Sequence, residues 1–316
     1  MKNTRKPKRL RPGGVIGVFA PSSPAANDEK VERGIRYLEG IGFRVEVGKS
    51  VYKRYGYLAG KDQARADDIH SFFRNRNISA LIATRGGYGI HRILSRLDYS
   101  LIKNHPKIVV GYSDLTAMHC AFLSQANLVS FSGPMVASAM SDGSLSGSRE
   151  EEFWQMLMSD KPVDPICPTN KNIVEKNIRI KGSIAGNIIG GNLSLLTALV
   201  GTPYLPSFRN AFLLLEDIGE RPYRIDRMLQ QLKLGGVLSN LGAVLLGNFR
   251  DCEPEHGKPS LTLPEIFRDT FSSLSYPILS GFHYGHIPDS LSFPFGVKAR
   301  LHPSKKRMEF LEAGVC

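Results

Sequence analysis

From Val15 onward, short apolar runs alternate with longer segments in which apolar residues recur every three or four positions. Val15 to Ala20 reads as a buried strand. Behind Asn27-Asp28-Glu29, the spacing of Val31, Ile35 and Leu38 predicts an amphipathic helix that ends at Gly40 to Gly42. Further strands are predicted at Phe43–Val47, Ile78–Thr84, Ile108–Val110 and Leu128–Phe131, with a helix over Asp62–Arg74. Alternating strands and helices imply crossover connections and a parallel sheet, and such sheets collect ligands at the carboxyl ends of their strands. Those ends are Ala20-Pro21-Ser22-Ser23, Thr84-Arg85-Gly86-Gly87-Tyr88-Gly89 and Gly111-Tyr112-Ser113-Asp114.

The pattern weakens after Ser141 around one helix-like stretch, Glu150–Met158. Beyond it the segments are shorter: Ile184–Leu199, the strand Phe212–Leu215, a helix over Tyr223–Leu232 with Tyr223, Ile225, Met228, Leu229 and Leu232 on one stripe, and the strand Val244–Leu246. The fold class is therefore α/β, with a parallel-sheet Rossmann-like domain first and a smaller mixed α/β domain second. The expected boundaries are an arm at 1–12, an amino-terminal domain at 13–160, a linker at 161–180 and a carboxyl-terminal domain at 181–316.

Composition narrows this picture in three places. With 316 residues, 42% apolar and 22% charged, the chain can bury a sizeable core in one or two domains. Lys and Arg number 41 against 29 acids, a net +12, and six of those cations stand among the first eleven residues: Lys2, Arg5, Lys6, Lys8, Arg9 and Arg11. That excess is expected to be a disordered basic arm on a mildly basic body, so the charge does not by itself argue for a nucleic-acid-binding fold. No apolar run reaches the roughly 18 residues of a membrane span, and the basic start is not followed by a signal-peptide core of about 7 to 15 apolar residues. Cys120, Cys167, Cys252 and Cys316 are too dispersed for a zinc knuckle or a disulfide framework, which fits a reducing cytoplasm.

The phosphate-binding motifs fail on register. Gly48-Lys49-Ser50 would need glycine where Phe43 stands, and Gly13-Gly14-Val15-Ile16-Gly17 precedes the strand that it should follow. His283 and His286 have no third ligand nearby, so no metal is expected. The informative stretch is Ile108 to His119, where an apolar strand runs into Gly111-Tyr112-Ser113 and a helix starts at once with Asp114. A nucleophile on such a turn stands exposed above the sheet, with the following N–H groups directed at a developing oxyanion. The plainer alternative is that Ser113 or Asp114 caps the helix. His119, in that helix, is expected to pack. A serine nucleophile needs a base and an acid that orients it. The strand Phe212–Leu215 ends in Glu216-Asp217, only one of which can face an imidazole, and His286 lies in a loop just after the strand-like Pro277–Leu279.

These features occur in a fixed order with several others. Val18-Phe19-Ala20-Pro21-Ser22-Ser23-Pro24, Tyr57-Leu58-Ala59-Gly60, Arg85-Gly86-Gly87-Tyr88-Gly89, Gly111-Tyr112-Ser113-Asp114, Gly190-Gly191-Asn192-Leu193, Leu215-Glu216-Asp217, Pro222-Tyr223-Arg224-Ile225-Asp226-Arg227, Gly285-His286 and Pro294-Phe295-Gly296 follow one another along the chain. In this the chain resembles the LD-carboxypeptidase family of serine peptidases, whose relatives include the microcin-immunity peptidases. The resemblance implies a triad of Ser113, Glu216 and His286 divided between the two domains, so that the active site lies in the cleft between them. It further implies an oxyanion hole made by the backbone N–H of Asp114 and one from Gly86 or Gly87. The implied substrate is a cytoplasmic murein tetrapeptide, hydrolysed without a cofactor by a homodimer; the alternative is an aminoacyl-nucleotide. Arg85 is a candidate to pair with the substrate carboxylate. Trp154, the only tryptophan, is expected to pack. Ser132-Gly133-Pro134 departs from the family's frequent His-Gly-Pro.

Overall fold

The computed structural model describes residues 4–169, 175–176 and 182–316. Lys2 of the basic arm, and residues 170–174 and 177–180 of the expected linker, lie outside the described residues.

The first half builds β1 (Val15–Phe19), α1 (Asp28–Gly40), β2 (Arg44–Val47), α2 (Asp62–Arg74), β3 (Ile78–Ala83), α3 (Tyr99–Asn104), β4 (Ile108–Val110), α4 (Leu115–Ala121) and β5 (Ser130–Ser132). Two helices follow, α5 (Ala139–Asp142) and α6 (Gly147–Met158). The second half has β6 (Glu175–Lys176), β7 (Ile184–Asn192), α7 (Leu193–Thr197), β8 (Phe212–Ile218), α8 (Pro222–Leu234), β9 (Ala243–Arg250), α9 (Leu263–Phe271) and β10 (Ile278–Ser280). It closes with β11 (Phe293–Phe295), β12 (Lys298–His302) and β13 (Arg307–Phe310). One sheet runs β11-β5-β4-β3-β1-β2 and the other β13-β12-β7-β8-β9-β10-β6. The first is parallel except at β11, and the second is parallel only across β7-β8-β9-β10.

The local causes are those that the apolar pattern suggests. Every residue of β1 is buried because helices cover both faces of a central parallel strand. Ile16 and Val18 pack with Val31, Ile35 and Leu38 of α1, while Val15 and Phe19 pack with Ile69, Phe72 and Phe73 of α2. Asn27 caps α1 by accepting the Lys30 N–H at 3.0 Å, and Asp28 and Glu29 favour the positive end of the helix dipole. In α8, Ile225, Leu229 and Leu232 are buried as expected, but Tyr223 is 60% exposed, beside the buried Pro222 that opens the helix.

Two expectations are corrected. Residues 4–10 are not disordered. Arg5 donates its N–H to Asn127 O and accepts that of Val129, Arg9 and Pro7 exchange backbone bonds with Cys316, and Leu10 is buried with its N–H on Leu157 O. Backbone pairing and one apolar anchor outweigh the repulsion among the described cations, of which Lys6 pairs with Glu312 at 2.8 Å and Arg9 with Asp160 at 3.6 Å, while Arg5, Lys8 and Arg11 are exposed. The expected boundaries also do not separate the sheets, because β11 lies within 181–316 yet pairs antiparallel with β5 and closes the edge of the first sheet. Among the described residues no helix is long and apolar enough to cross a membrane.

Candidate active site

The turn between β4 and α4 places Ser113. Gly111 takes φ 157°, a conformation that brings its Cα against the Leu115 side chain, and Ser113 itself is held at φ 65°. A non-glycine residue in the left-handed region is strained, and such strain concentrates at functional turns. Asp114 does not cap α4 with its side chain; its Oδ2 accepts the Ile90 N–H at 3.0 Å. The Arg85–Gly89 loop packs against the turn so closely that a Cβ on Gly86 would lie 2.8 Å from Ser113 Cβ. Only glycine fits there, and the Gly86 backbone therefore abuts the serine.

The acid and the base come from the second half. Glu216 sits at a register shift between β8 and β9, and its side chain is 1% exposed. Its Oε2 lies 2.8 Å from His286 Nδ1, so that nitrogen carries the proton and Nε2 is left as the basic atom. Asp217 turns elsewhere, accepting from Asn192 Nδ2 at 2.9 Å and from the Ser194 N–H and hydroxyl at 2.9 and 2.7 Å. The choice between the two acids, open in the alternating strand pattern, is thus visible in their partners. Gly285, at φ 128°, lets the His286 loop approach Glu216, and Arg250 Nη1 donates to His286 O at 3.1 Å. The Tyr112 ring meets the His286 ring edge-on at 5.2 Å.

Ser113 and His286 line one cavity of about 280 Å³, together with Arg85, Gly86, Gly87, Tyr112 and Lys30. A second cavity of about 400 Å³ shares Tyr112 and His286 with it and extends past Ser132, Tyr284 and Leu291. Among the described residues no hydrogen bond joins Ser113 to His286, a separation common before substrate tightens a site. Two contacts between the halves set the positions of these groups. Asn192 N–H donates to Thr116 Oγ1 at 2.9 Å, an approach that only Gly191 permits because a Cβ there would lie 2.4 Å from that oxygen. Ser132 Oγ meets Tyr284 Oη at 2.9 Å.

Residues 16–133 match the family model for the LD-carboxypeptidase N-terminal domain, and residues 185–301 match that for the LD-carboxypeptidase C-terminal domain. The chain belongs to the LD-carboxypeptidase family. It is a serine-type carboxypeptidase, a hydrolase. It is 37% identical to a probable murein peptide carboxypeptidase of Bacillus subtilis, covering 98% of this chain and 95% of that protein. It is 32% identical to the murein tetrapeptide carboxypeptidase of Pseudomonas aeruginosa, over 93% and 95%. Among solved structures, muramoyltetrapeptide carboxypeptidase from Oxalobacter formigenes superposes with a TM-score of 0.83 at 30% identity, over 94% and 97%. The microcin C7 self immunity protein MccF in complex with aspartyl sulfamoyl adenosine superposes at 0.85 with 26% identity, over 99% and 100%.

Within this LD-carboxypeptidase framework the remaining candidates find their places. His119 is fully buried, Nε2 donates to Gly111 O and Ser130 Oγ donates to Nδ1, both at 2.8 Å, and burial pushes its pKa down to about 4. It packs under the turn as a neutral group. His283 Nε2 is taken up by Pro288 O at 2.9 Å. Trp154 packs among Tyr37, Phe43 and Phe153, donates Nε1–H to Tyr37 at 2.9 Å and lines neither cavity. Ser132, the departure from the family's frequent histidine, binds Tyr284, whose phenol burial raises well above its usual pKa and so keeps protonated. Sequence reasoning missed Lys30 and Tyr112. Lys30 lies in a helix start whose only visible signal was capping, and Tyr112 stood within the serine motif without a role of its own.

Proposed function

We propose that this enzyme hydrolyses the L,D-amide bond that releases terminal D-alanine from murein tetrapeptides, with Ser113 as nucleophile, His286 as base and Glu216 as its orienting acid. The observation that carries the proposal is the 2.8 Å Glu216–His286 pair, lining the same cavity as a serine held at φ 65°. His286 Nε2 takes the Ser113 proton as Oγ attacks the scissile carbonyl carbon. Glu216 stabilises the imidazolium, and the Asp114 N–H with one from Gly86 or Gly87 holds the oxyanion. Collapse breaks the C–N bond as the imidazolium protonates the departing amine. Water then enters, His286 takes its proton, and the acyl ester is hydrolysed to free Ser113 and the shortened peptide.

Exopeptidase action further requires recognition of a free carboxylate. Arg85 and Lys30 both line the serine's cavity, and neither forms an ion pair among the described residues, so both cations are available to a substrate anion. Cytoplasmic location, a homodimer and independence of metal or cofactor accompany this reading as expectations from the family.

The similarity to MccF motivates one rival substrate, an aminoacyl-nucleotide. A nucleotide base needs an aromatic platform, and Trp154 is engaged within the first half. Incubation with a murein tetrapeptide and, in parallel, with an aminoacyl sulfamoyl adenosine, read by mass spectrometry, decides between them. Release of D-alanine with the adenylate analogue intact is the expected result; cleavage of the analogue alone would overturn the substrate assignment.

A further inference from the structure

Asp114 is the one buried acid at the nucleophile turn for which the chemistry above has no use beyond its backbone. Its side chain is fully buried, yet it does not cap α4. Oδ2 accepts the Ile90 N–H at 3.0 Å, while Oδ1 lies without a hydrogen-bond partner among the described residues, beside the buried Ser22 hydroxyl. Holding a carboxylate there is costly. Burial raises its pKa, and the Ser22 hydroxyl, the Ile90 N–H, His91 and Arg65 offset that only in part. A costly group at this position calls for a compensating use.

Ile90 is the residue at which the Arg85–Gly89 loop ends. That loop contains Gly87 at φ 111° and Gly89 at φ 140°, conformations that leave its backbone unbiased unless neighbours fix it. The structure fixes it at three consecutive residues. Tyr88 N–H donates to Ser23 Oγ at 3.1 Å, and Gly89 O accepts from Arg65 Nη1 at 3.0 Å. The third pin is Asp114 on Ile90. Arg65 is itself anchored, donating to Pro21 O and, at 2.6 Å, to Asp62, which also takes both Arg92 donors at 2.9 and 2.8 Å. Of the three pins, only Asp114 ties the loop directly to the residue after the nucleophile.

We infer that Asp114 is a positioning residue that sets the separation of the two oxyanion donors: its own N–H is one, and its carboxylate grips the loop that supplies the other. The inference rests on the oxyanion hole proposed above. It assigns the side chain an accepting role toward Ile90, so an amide oxygen in the same place serves as well as a carboxylate. It also distinguishes Asp114 from Arg65, which holds the loop to α2 and contributes no donor to the oxyanion hole.

The test uses Asp114→Ala and Asp114→Asn in the full chain. Its first readout is the rate at which an alkyl fluorophosphonate labels Ser113, measured by intact mass. Labelling places the P=O oxygen in the oxyanion hole and needs no peptide. Its second readout is D-alanine release from the tetrapeptide, separated into kcat and KM. Asp114→Ala is expected to slow labelling and kcat by about 10²-fold, the scale of one lost oxyanion donor, with little change in KM. Asp114→Asn is expected to recover most of both rates. Asp114→Ala that labels as fast as wild type, or a loss that Asp114→Asn does not rescue although its melting temperature matches or exceeds wild type, overturns the inference. Wild type that labels but releases no D-alanine refutes the substrate reading alone, since the labelling comparison still decides the role of Asp114. Wild type that does not label removes the nucleophile, and the inference with it.

Discussion

Ser113 is held at φ 65°, a conformation that costs an L-residue about 1 kcal/mol or more, and among the described residues its side chain makes no hydrogen bond that would compensate for it. Ser113→Gly is therefore expected to raise the unfolding free energy by about 1 kcal/mol while removing turnover, checked by urea denaturation beside an activity assay. Six positions downstream, His119 makes a prediction of the opposite kind. Its pKa falls from 6.5 to about 4 on burial, so between those values the unfolded chain binds the extra proton and the folded chain does not. Stability must therefore rise with pH from about 4 to 6.5, by an amount on the order of 3 kcal/mol from this residue. Urea midpoints measured across that range should show a shallower rise in His119→Gln than in wild type. An equal slope would contradict the buried, neutral imidazole.

At the scale of elements, the site is assembled from the ends of strands, and this part was legible in advance. Apolar runs stopping at Ala83 and Val110 marked the places where the loop and the turn emerge, because a parallel sheet exposes its strand ends to ligand, whereas Glu216 lies inside β8, which runs on to Ile218 past the expected end at Leu215. What the alternation could not provide was which of Glu216 and Asp217 faces the histidine. A register shift at that point breaks the two-residue period on which such an assignment depends. Nor could periodicity show that β7 presses on α4 through Gly191, since a glycine in a strand announces a close approach without naming the neighbour. Gly191→Ala places a methyl 2.4 Å from Thr116 Oγ1 at a φ of 125°. The substitution is expected to cost about 1–3 kcal/mol and to lower kcat by displacing the serine turn from the histidine loop. Unchanged stability would show that this contact carries no load.

For the whole molecule, two α/β halves were readable from composition and pattern, whereas their interlocking was not. Pairing between β5 and β11, and between Arg5 and the chain at Asn127 and Val129, joins residues separated by more than a hundred positions, and no local signal specifies such partners. The cationic start was misleading for the same reason: charge suggested solvent, but the backbone of residues 5–10 is committed to the body. Deleting residues 1–11 should therefore lower the melting temperature measurably, because each lost backbone bond contributes about 0.5–1.5 kcal/mol and Leu10 is removed from the core. An unchanged melting temperature would restore the disordered-arm reading. The interlocking also bears on catalysis, since Ser113 belongs to one half and Glu216 and His286 to the other. The central claim, that these three act together on an L,D-amide, is tested most directly by D-alanine release from a murein tetrapeptide, followed by mass spectrometry for wild type and Ser113→Ala. The account predicts release by wild type and a loss of about 10³-fold or more in Ser113→Ala, with the variant still folded; release at an equal rate by both would contradict it.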